Sequence, residues 1–338
     1  MKRIAINGFG RIGRCVFRAL ADGPLADKLQ VVAINEPAPI ATMAHLLRYD
    51  STHGPWHCGV EVSDSHLLIN GQTIAVSHHE NLSDISWPNV DVVLECTGHF
   101  DQRDDAAIHL QRGAARVLFS QPAQNEMDAT VVYGLNEASL LAEHTVASAA
   151  SCTTNAVAPV IDCLHKAFGV ESGVITTIHS AMNDQPLIDA YHHTDLRKTR
   201  SAIRSIIPVD TGLAKGIDRI LPEVAGRFEA QAMRVPTVDV SAIDLTLVVN
   251  TRVSADEVND LLQQQAKQAY RNVLGVSYEP LASCDYLGEV RSGVVDASQT
   301  RVAGENLVKV LIWFDNEWGY ANRVLDVANY WLHSNERN

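Results

Sequence analysis

The sequence predicts an α/β protein with two domains, the first built on a doubly wound parallel sheet and the second an α+β domain with a mixed or antiparallel sheet. Two patterns predict this. In the first half, short apolar strands alternate with helical segments, which is typical of a parallel sheet covered on both faces. From about residue 151, longer segments alternate polar and apolar residues, which is typical of an antiparallel sheet with one solvated face. We place the domains at 1–150 and 151–315, and expect the C-terminal helix, within 316–338, to pack back on the first domain.

Length, charge and cysteine content limit the possible functions. The 338 residues suit two domains, and a net charge of −13 argues against a nucleic-acid partner, because phosphate neutralisation requires clustered Lys and Arg. No apolar run approaches the ~20 residues of a membrane span, and the chain begins with a strand rather than a secretory signal. The six cysteines are scattered without a C-x-x-C pair. We therefore expect a reducing, cytoplasmic setting, no membrane partner and no metal.

A glycine-rich turn follows the first strand. Residues 2–7 are apolar, and the next six residues contain glycines at the first, third and sixth positions before an amphipathic helix begins. In the Rossmann fold such glycines permit a tight turn, let the backbone approach a pyrophosphate, and allow close helix–strand packing. The helix N-terminus supplies amides to the phosphates. The predicted cofactor-binding residues of this turn are Gly8, Gly10, Arg11, Ile12 and Gly13.

An acidic residue ends the second predicted strand, 31–35. Glu36 stands where a carboxylate binds the ribose diol of a dinucleotide. The same carboxylate repels a 2′-phosphate, so the sequence predicts NAD rather than NADP as the cofactor.

Further strands are predicted at 91–96, 115–120 and 130–133. Thr97 directly follows the first of these, and Ser120 closes the second. Ligands of parallel sheets bind beyond the carboxyl ends of the strands. Both residues are therefore candidates for the cofactor cleft, although ordinary turn chemistry at a strand end explains them equally well.

The candidate nucleophile is Cys152, which opens a predicted helix after a strand at 144–150. The amides and dipole of a helix N-terminus favour an anion and can lower the pKa of a thiol well below ~8.5. The alternative interpretation is a small buried apolar residue. His179 ends a predicted strand, 174–178, and could hold the thiolate and shuttle protons, although strand-end histidines are commonly structural.

The rest of the second domain is predicted to contain a strand at 238–249, followed by a helix that begins with the capping box Ser254–Glu257 and runs to about 271. A final helix is predicted at 319–333. Residues 182–207 show no period, and a loop of that length in a compact domain is usually functional.

Several long motifs in this order resemble the phosphorylating glyceraldehyde-3-phosphate dehydrogenase superfamily along essentially the whole chain. The motifs are Asn7–Arg14, Ala150–Asn155, Asp184-Gln185, Arg234–Thr237 and Asp315–Tyr320.

The resemblance implies an NAD-dependent dehydrogenase that acts on a sugar phosphate as a homotetramer, with the 182–207 loop near a subunit interface. It implies that Cys152 is the nucleophile, that His179 is its base, and that Asn316 orients the nicotinamide carboxamide. The implied substrate and anion-binding residues are Ser151, Thr153, Thr211 and Arg234.

Three departures from the glycolytic pattern resemble the bacterial erythrose-4-phosphate dehydrogenases. Met182 stands where a threonine usually helps to hold phosphate, and Glu36 replaces an aspartate. Asp210 lies in Ile207-Pro208-Val209-Asp210-Thr211, where the glycolytic enzymes usually carry Pro-Ser-Ser-Thr. We therefore expect oxidation of D-erythrose 4-phosphate to 4-phosphoerythronate in vitamin B6 synthesis, with water cleaving a Cys152 thioester. Gly212 and Lys215 are closer to the glycolytic pattern, which keeps a phosphorylating glyceraldehyde-3-phosphate dehydrogenase as an alternative.

A substitution beside the nucleophile leaves a third possibility open. Ala149 replaces an asparagine found in both groups, so a local backbone or cofactor contact is expected to be lost. A catalytically silent NAD-binding interaction protein is therefore the alternative of another class.

Overall fold

The computed structural model describes residues 1–123, 127–192 and 195–333. It divides the chain into two compact units, one formed by residues 1–151 together with 321–338 and the other by residues 152–320. Among the helices described, none is long and apolar enough to cross a membrane.

The first unit contains a sheet with helices in the connections between its strands. Its strands are β1 (Lys2–Asn7), β2 (Leu29–Asn35), β3 (Val60–Ser63), β4 (His66–Ile69), β5 (Gln72–Ser77), β6 (Val92–Glu95), β7 (Val117–Phe119), β8 (Ala129–Thr130) and β9 (Val146–Ser148). Its helices before the second unit are α1 (Arg11–Asp22), α2 (Ile40–Arg48) and α3 (Arg103–Gln111).

The strand order in this sheet is β3-β4-β5-β2-β1-β6-β7-β9-β8, and the pairs from β5 to β8 are parallel. Among the described strands of this sheet, the pairs β3–β4 and β4–β5 are antiparallel. The central strands are buried, as their nearly continuous apolar runs predict. The predicted Rossmann-type sheet is confirmed, and it brings the carboxyl ends of β1, β2, β6 and β7 to one edge.

The second unit begins with the helix that carries the candidate nucleophile. Its elements are α4 (Cys152–Phe168), β10 (Val170–His179), β11 (Ile207–Val209), α5 (Leu213–Ile220), β12 (Phe228–Arg234), β13 (Ser241–Val249), α6 (Ala255–Lys267), β14 (Leu274–Ser277), β15 (Gly293–Ala303) and β16 (Leu307–Phe314). The last helix is α7 (Trp318–Leu332), whose residues from Ala321 onward belong to the first unit.

The second sheet is mixed, as predicted. Its order is β11-β12-β10-β13-β16-β15-β14, with parallel pairs β10–β12 and β14–β15 among antiparallel neighbours. Alternate residues of β13 are buried, which matches its polar–apolar alternation. The parallel pairing of β10 with β12 matters for the site, because both strands end at the same edge.

Several predicted strands are shorter than expected. The strands predicted at 91–96, 115–120 and 144–150 are limited to Val92–Glu95, Val117–Phe119 and Val146–Ser148. The strand predicted at 130–133 ends at Thr130, which pairs with Ser148, the last residue of β9. The strand predicted at 238–249 begins only at Ser241, because Val240 has a φ of 63°, which extended backbone does not adopt.

Two other expectations also differ from the structure. Helix α6 ends at Lys267 rather than near 271, since Gln268 leaves helical geometry with φ −114° and ψ −96°. The antiparallel strands β3, β4 and β5 were not predicted, because runs this short are a weak strand signal on their own.

Candidate active site

All the cofactor residues predicted in the first half lie at or just beyond the carboxyl ends of parallel strands. The glycine turn follows β1, Glu36 follows β2, Thr97 lies two residues beyond β6, and Ser120 follows β7. Parallel strands bind ligands at this edge, and α1 directs its N-terminal amides toward the same place.

The glycine turn fits a dinucleotide by three independent observations. Gly8 has a φ of +87°, and a Cβ there would lie 2.7 Å from the backbone nitrogen of Thr97. A Cβ on Gly13 would lie 2.2 Å from the Gly8 carbonyl oxygen, so close packing of α1 on β1 requires glycine. At Gly10, by contrast, a Cβ would meet no protein atom within 4 Å. The turn is therefore tight toward the protein and open on the side where a pyrophosphate binds.

The Glu36 carboxylate is held against the glycine turn. Its Oε2 atom accepts a hydrogen bond of 2.7 Å from the Phe9 amide, and its Oε1 atom accepts one of 3.3 Å from the Ala38 amide. These bonds fix a carboxylate next to the turn, in the position of a ribose-binding acid. A 2′-phosphate at this place would be repelled by the same charge.

The first turn of α1 contains Arg11 and Ile12. The Arg11 guanidinium forms an ion pair of 2.5 Å with Asp50. Burial raises the pKa of Asp50, but hydrogen bonds from the His53 backbone and from Arg11 outweigh it and lower the pKa to about 2. This ion pair anchors the beginning of α1, so the Arg11 side chain has a structural partner while its backbone remains in the predicted amide cluster.

Thr97 and Ser120 both contact Glu95, at the end of β6. The amide and hydroxyl of Thr97 donate to the buried Glu95 carboxylate, and the Ser120 amide donates to its carbonyl oxygen at 3.0 Å. Both residues therefore form hydrogen bonds at the ends of their strands, as ordinary turn chemistry would require. Their predicted cofactor contacts remain predictions.

In the second unit, the fold brings Cys152 and His179 together. Cys152 is the first residue of α4, and His179 is the last residue of β10. The Sγ atom of Cys152 lies 3.8 Å from Nε2 of His179 and 3.9 Å from Oγ1 of Thr153. This distance allows proton transfer between thiol and imidazole.

The hydrogen bond at the other ring nitrogen determines the tautomer of His179. Its Nδ1 atom lies 2.9 Å from the Ser180 carbonyl oxygen, which can only accept. Nδ1 therefore carries the proton, and the neutral ring presents the lone pair of Nε2 to Cys152. His179 is 8% exposed and packs edge-on against Phe314, which keeps the ring in this orientation.

The protonation state of the pair differs from the sequence-based expectation. Burial raises the pKa of the Cys152 thiol, against hydrogen bonds from Thr153 and the charge of Arg234. The expectation that the helix N-terminus lowers the pKa of the thiol is therefore wrong. Burial likewise lowers the pKa of His179 to about 4, despite its bond to Ser180. At neutral pH the two groups rest as thiol and neutral imidazole, with the base ready to accept the proton.

Arg234, predicted to bind an anion, lies beside the pair. It is aligned with His179 in the register of β10 and β12, and both residues end their strands. Its Nη1 atom lies 3.9 Å from the Asp184 carboxylate, which Lys198 contacts at 2.8 Å. In the part of the chain that is described, the buried Nε and Nη1 atoms of Arg234 have no hydrogen-bond partner. Buried N–H groups of this kind fit an anionic or hydroxyl-bearing substrate.

Asn316 is oriented by two serines that the sequence did not single out. Its Oδ1 atom accepts hydrogen bonds of 3.0 Å from the Ser180 hydroxyl and 2.7 Å from the Ser241 hydroxyl. The Nδ2 group therefore lies on the other side of the amide and can donate a hydrogen bond, for which the oxygen of a carboxamide is a suitable acceptor. Ser180 also connects this position to His179 through its carbonyl group.

The other predicted substrate residues have different surroundings. Ser151 and Thr153 flank Cys152 and are partly buried. Thr211 lies between β11 and α5, where its hydroxyl accepts from the Leu213 amide at 3.2 Å, so its role in anion binding remains a prediction. Ala149 is fully buried, and its amide donates to the Phe119 carbonyl at 2.9 Å.

The fold and site together define an NAD-dependent oxidoreductase. Family models match both halves of the chain: the NAD binding domain of glyceraldehyde 3-phosphate dehydrogenase matches residues 2–103, and the C-terminal domain of the same enzyme matches residues 151–316. The chain belongs to the glyceraldehyde-3-phosphate dehydrogenase superfamily. NAD is accordingly its cofactor, and its general activity is the oxidation of an aldehyde phosphate.

Proposed function

We propose that this protein oxidises D-erythrose 4-phosphate to 4-phosphoerythronate through a thioester on Cys152 that water hydrolyses. The observation that carries the covalent chemistry is the 3.8 Å approach of Cys152 Sγ to the unprotonated Nε2 of His179. The product would be used in vitamin B6 synthesis. The six cysteines, all free, support a reducing cytoplasmic setting.

In the first step, the sulfur of Cys152 forms a bond to the aldehyde carbon. His179 takes the thiol proton at Nε2 and returns it to the developing alkoxide, which gives a neutral thiohemiacetal. Arg234 binds a phosphate or hydroxyl oxygen of the substrate and so positions the aldehyde carbon near sulfur.

The thioester forms when the substrate carbon is oxidised. The glycine turn and Glu36 would hold NAD, which would supply the hydride acceptor, and Asn316 is the residue that we propose would bind its carboxamide. His179 accepts the hydroxyl proton of the thiohemiacetal as the C=O bond forms, and releases it to solvent. It then takes a proton from water, whose oxygen attacks the thioester carbon, and gives that proton to sulfur as the carbon–sulfur bond breaks, which regenerates the thiol.

Two residues favour water over inorganic phosphate as the acyl acceptor. The thioether of Met182 cannot donate a hydrogen bond to phosphate, and the side chain is 46% exposed. Asp210 is exposed at the end of β11, next to Thr211, and brings a negative charge to the region where a second phosphate would bind. Like charges close together disfavour anion binding.

Initial rates of NADH formation test the substrate and the acceptor together. We expect a higher kcat/KM for erythrose 4-phosphate than for glyceraldehyde 3-phosphate, and rates that do not depend on inorganic phosphate. A double variant, Met182→Thr with Asp210→Ser, is expected to gain phosphate stimulation. Preference for the three-carbon aldehyde with strict phosphate dependence of the unmodified protein would overturn the proposal.

That outcome would instead support a phosphorylating glyceraldehyde-3-phosphate dehydrogenase. The features that favour it are Gly212 and Lys215, at the start of α5 and on its exposed surface. Absence of turnover with both aldehydes would support the silent NAD-binding alternative.

We further propose that the protein assembles as a homotetramer through its long loop. Between Ser180 and Ile206, the described residues form no strand and only one short 3₁₀ turn, Arg197–Thr199. Leu187, Ile188 and Tyr191 are 67%, 71% and 102% exposed. Exposed apolar groups this close together support a contact between copies of the chain.

Sedimentation velocity tests this assembly. We expect the mass of a tetramer for the unmodified protein and a smaller species for Ile188→Ser combined with Tyr191→Ser. Tyr278→Ser, which changes another exposed tyrosine outside the loop, is the control and should leave the tetramer intact. A monomer in the unmodified protein at micromolar concentration would contradict the proposal.

A further inference from the structure

Three metal-ligating side chains meet on the first unit, outside the residues assigned to the cofactor. Asp22 ends α1, and His57 and Cys58 precede β3. One ligand atom from each lies within 4.8 Å of the other two. Nε2 of His57 lies 3.5 Å from Sγ of Cys58 and 3.6 Å from Oδ1 of Asp22.

These separations match those between ligands of a tetrahedral zinc ion. With zinc about 2.0–2.3 Å from nitrogen, oxygen and sulfur, the ligand atoms lie roughly 3.4–3.6 Å apart. A carboxylate, an imidazole and a thiolate form a ligand set that suits zinc. The imidazole is 75% exposed, so solvent can reach the position between the three groups and provide a fourth ligand.

Neighbouring donors hold two of the three groups in place. The Trp56 indole N–H donates to Oδ2 of Asp22 at 2.8 Å, which leaves Oδ1 directed to His57. The side-chain amide of Asn70 donates to Cys58 Sγ at 3.1 Å. Hydrogen bonds of this kind orient the ligands in established metal sites and stabilise a bound thiolate.

The local electrostatics also favour a cation. Asp22 is the last residue of α1, whose last turn contains no basic residue, so a carboxylate lies at the negative end of the helix. The cation of Arg18 on the same helix donates to the carbonyl groups of Leu47 and Gly54 instead.

We propose that Asp22, His57 and Cys58 bind a zinc ion with water as the fourth ligand. The ion would clamp the end of α1 to the segment before β3 and so stabilise the first unit. The sequence gives no sign of this site, because Asp22 is far from His57 along the chain and no pair of cysteines is involved. The proposal is independent of the substrate.

Titration with Co²⁺ as a spectroscopic probe tests the site. The full chain with Cys152→Ser is used, so that the thiol of the active site cannot contribute. We expect binding of one equivalent, with a thiolate-to-cobalt charge-transfer band that Zn²⁺ displaces. Cys58→Ser should abolish the band, and His57→Ala and Asp22→Asn should each weaken binding at least about tenfold. Cys284→Ser, which removes another exposed thiol, is the matched control.

Thermal unfolding provides a second measurement. A ligand that binds only the folded protein raises Tm, so Zn²⁺ should raise Tm of the Cys152→Ser protein but not of the protein that also carries Cys58→Ser. Asn70→Ala should weaken Co²⁺ binding and keep the charge-transfer band. A band that persists in Cys58→Ser, or the lack of saturable Co²⁺ binding in a protein with an unchanged Tm, would overturn the proposal.

Discussion

Replacement of Cys152 by serine is expected to lower kcat for aldehyde oxidation by at least about 10³-fold. A hydroxyl at this position is far harder to deprotonate than the thiol and is a weaker nucleophile toward the aldehyde carbon. Without the covalent adduct, hydride must leave an unactivated aldehyde. NAD affinity should change little, because the glycine turn and Glu36 are untouched. Initial-rate kinetics and an NAD-binding titration measure the two quantities.

The matched control removes a different thiol from the same helix. Cys163→Ala changes a buried residue further along α4 and should leave kcat within a few-fold of the unmodified protein. The covalent mechanism would be wrong if Cys152→Ser retained substantial turnover. A catalytically silent NAD-binding protein would oxidise no aldehyde even without a substitution. Kinetic measurements on the unmodified protein therefore test that alternative.

The local parts of the structure could be predicted from the sequence. Strand, glycine turn, helix and Glu36 follow each other within the first 36 residues, and each is signalled by short-range periodicity or by a glycine that a Cβ would not fit. The mostly parallel character of the first sheet also followed from alternating strands and helices. These signals depend on residues close together in the chain, so they do not require knowledge of tertiary packing.

The long-range parts could not be predicted in this way. Arg234 lies beside His179 because β12 pairs in parallel with β10, although many residues separate the two strands. Ser180 and Ser241 orient Asn316 through pairing across the second sheet, and no periodicity marks such contacts. The pKa of Cys152 was predicted in the wrong direction because the helix N-terminus is visible in the sequence, whereas burial of the thiol is not.

His179→Asn is expected to reduce kcat/KM by about 10²–10⁴-fold, the usual contribution of a general base. The pH dependence distinguishes this role from a structural one. Above the pKa of His179, about 4, and below the raised pKa of Cys152, the pair rests as thiol and neutral imidazole, the form in which His179 can take the proton while sulfur attacks the aldehyde. The kcat/KM of the unmodified protein should therefore be nearly independent of pH across this range.

In His179→Asn the thiolate forms only by loss of the proton to solvent. Its kcat/KM should therefore rise about tenfold per pH unit up to the thiol pKa, because each unit raises the thiolate fraction tenfold. His333→Asn is the matched control: its Nδ1 atom also contacts a backbone carbonyl, that of Asn329 at 2.9 Å, but it belongs to the end of α7. A flat profile in His179→Asn would show that another group takes the thiol proton. A rising profile in the unmodified protein would show that the 3.8 Å contact does not transfer it.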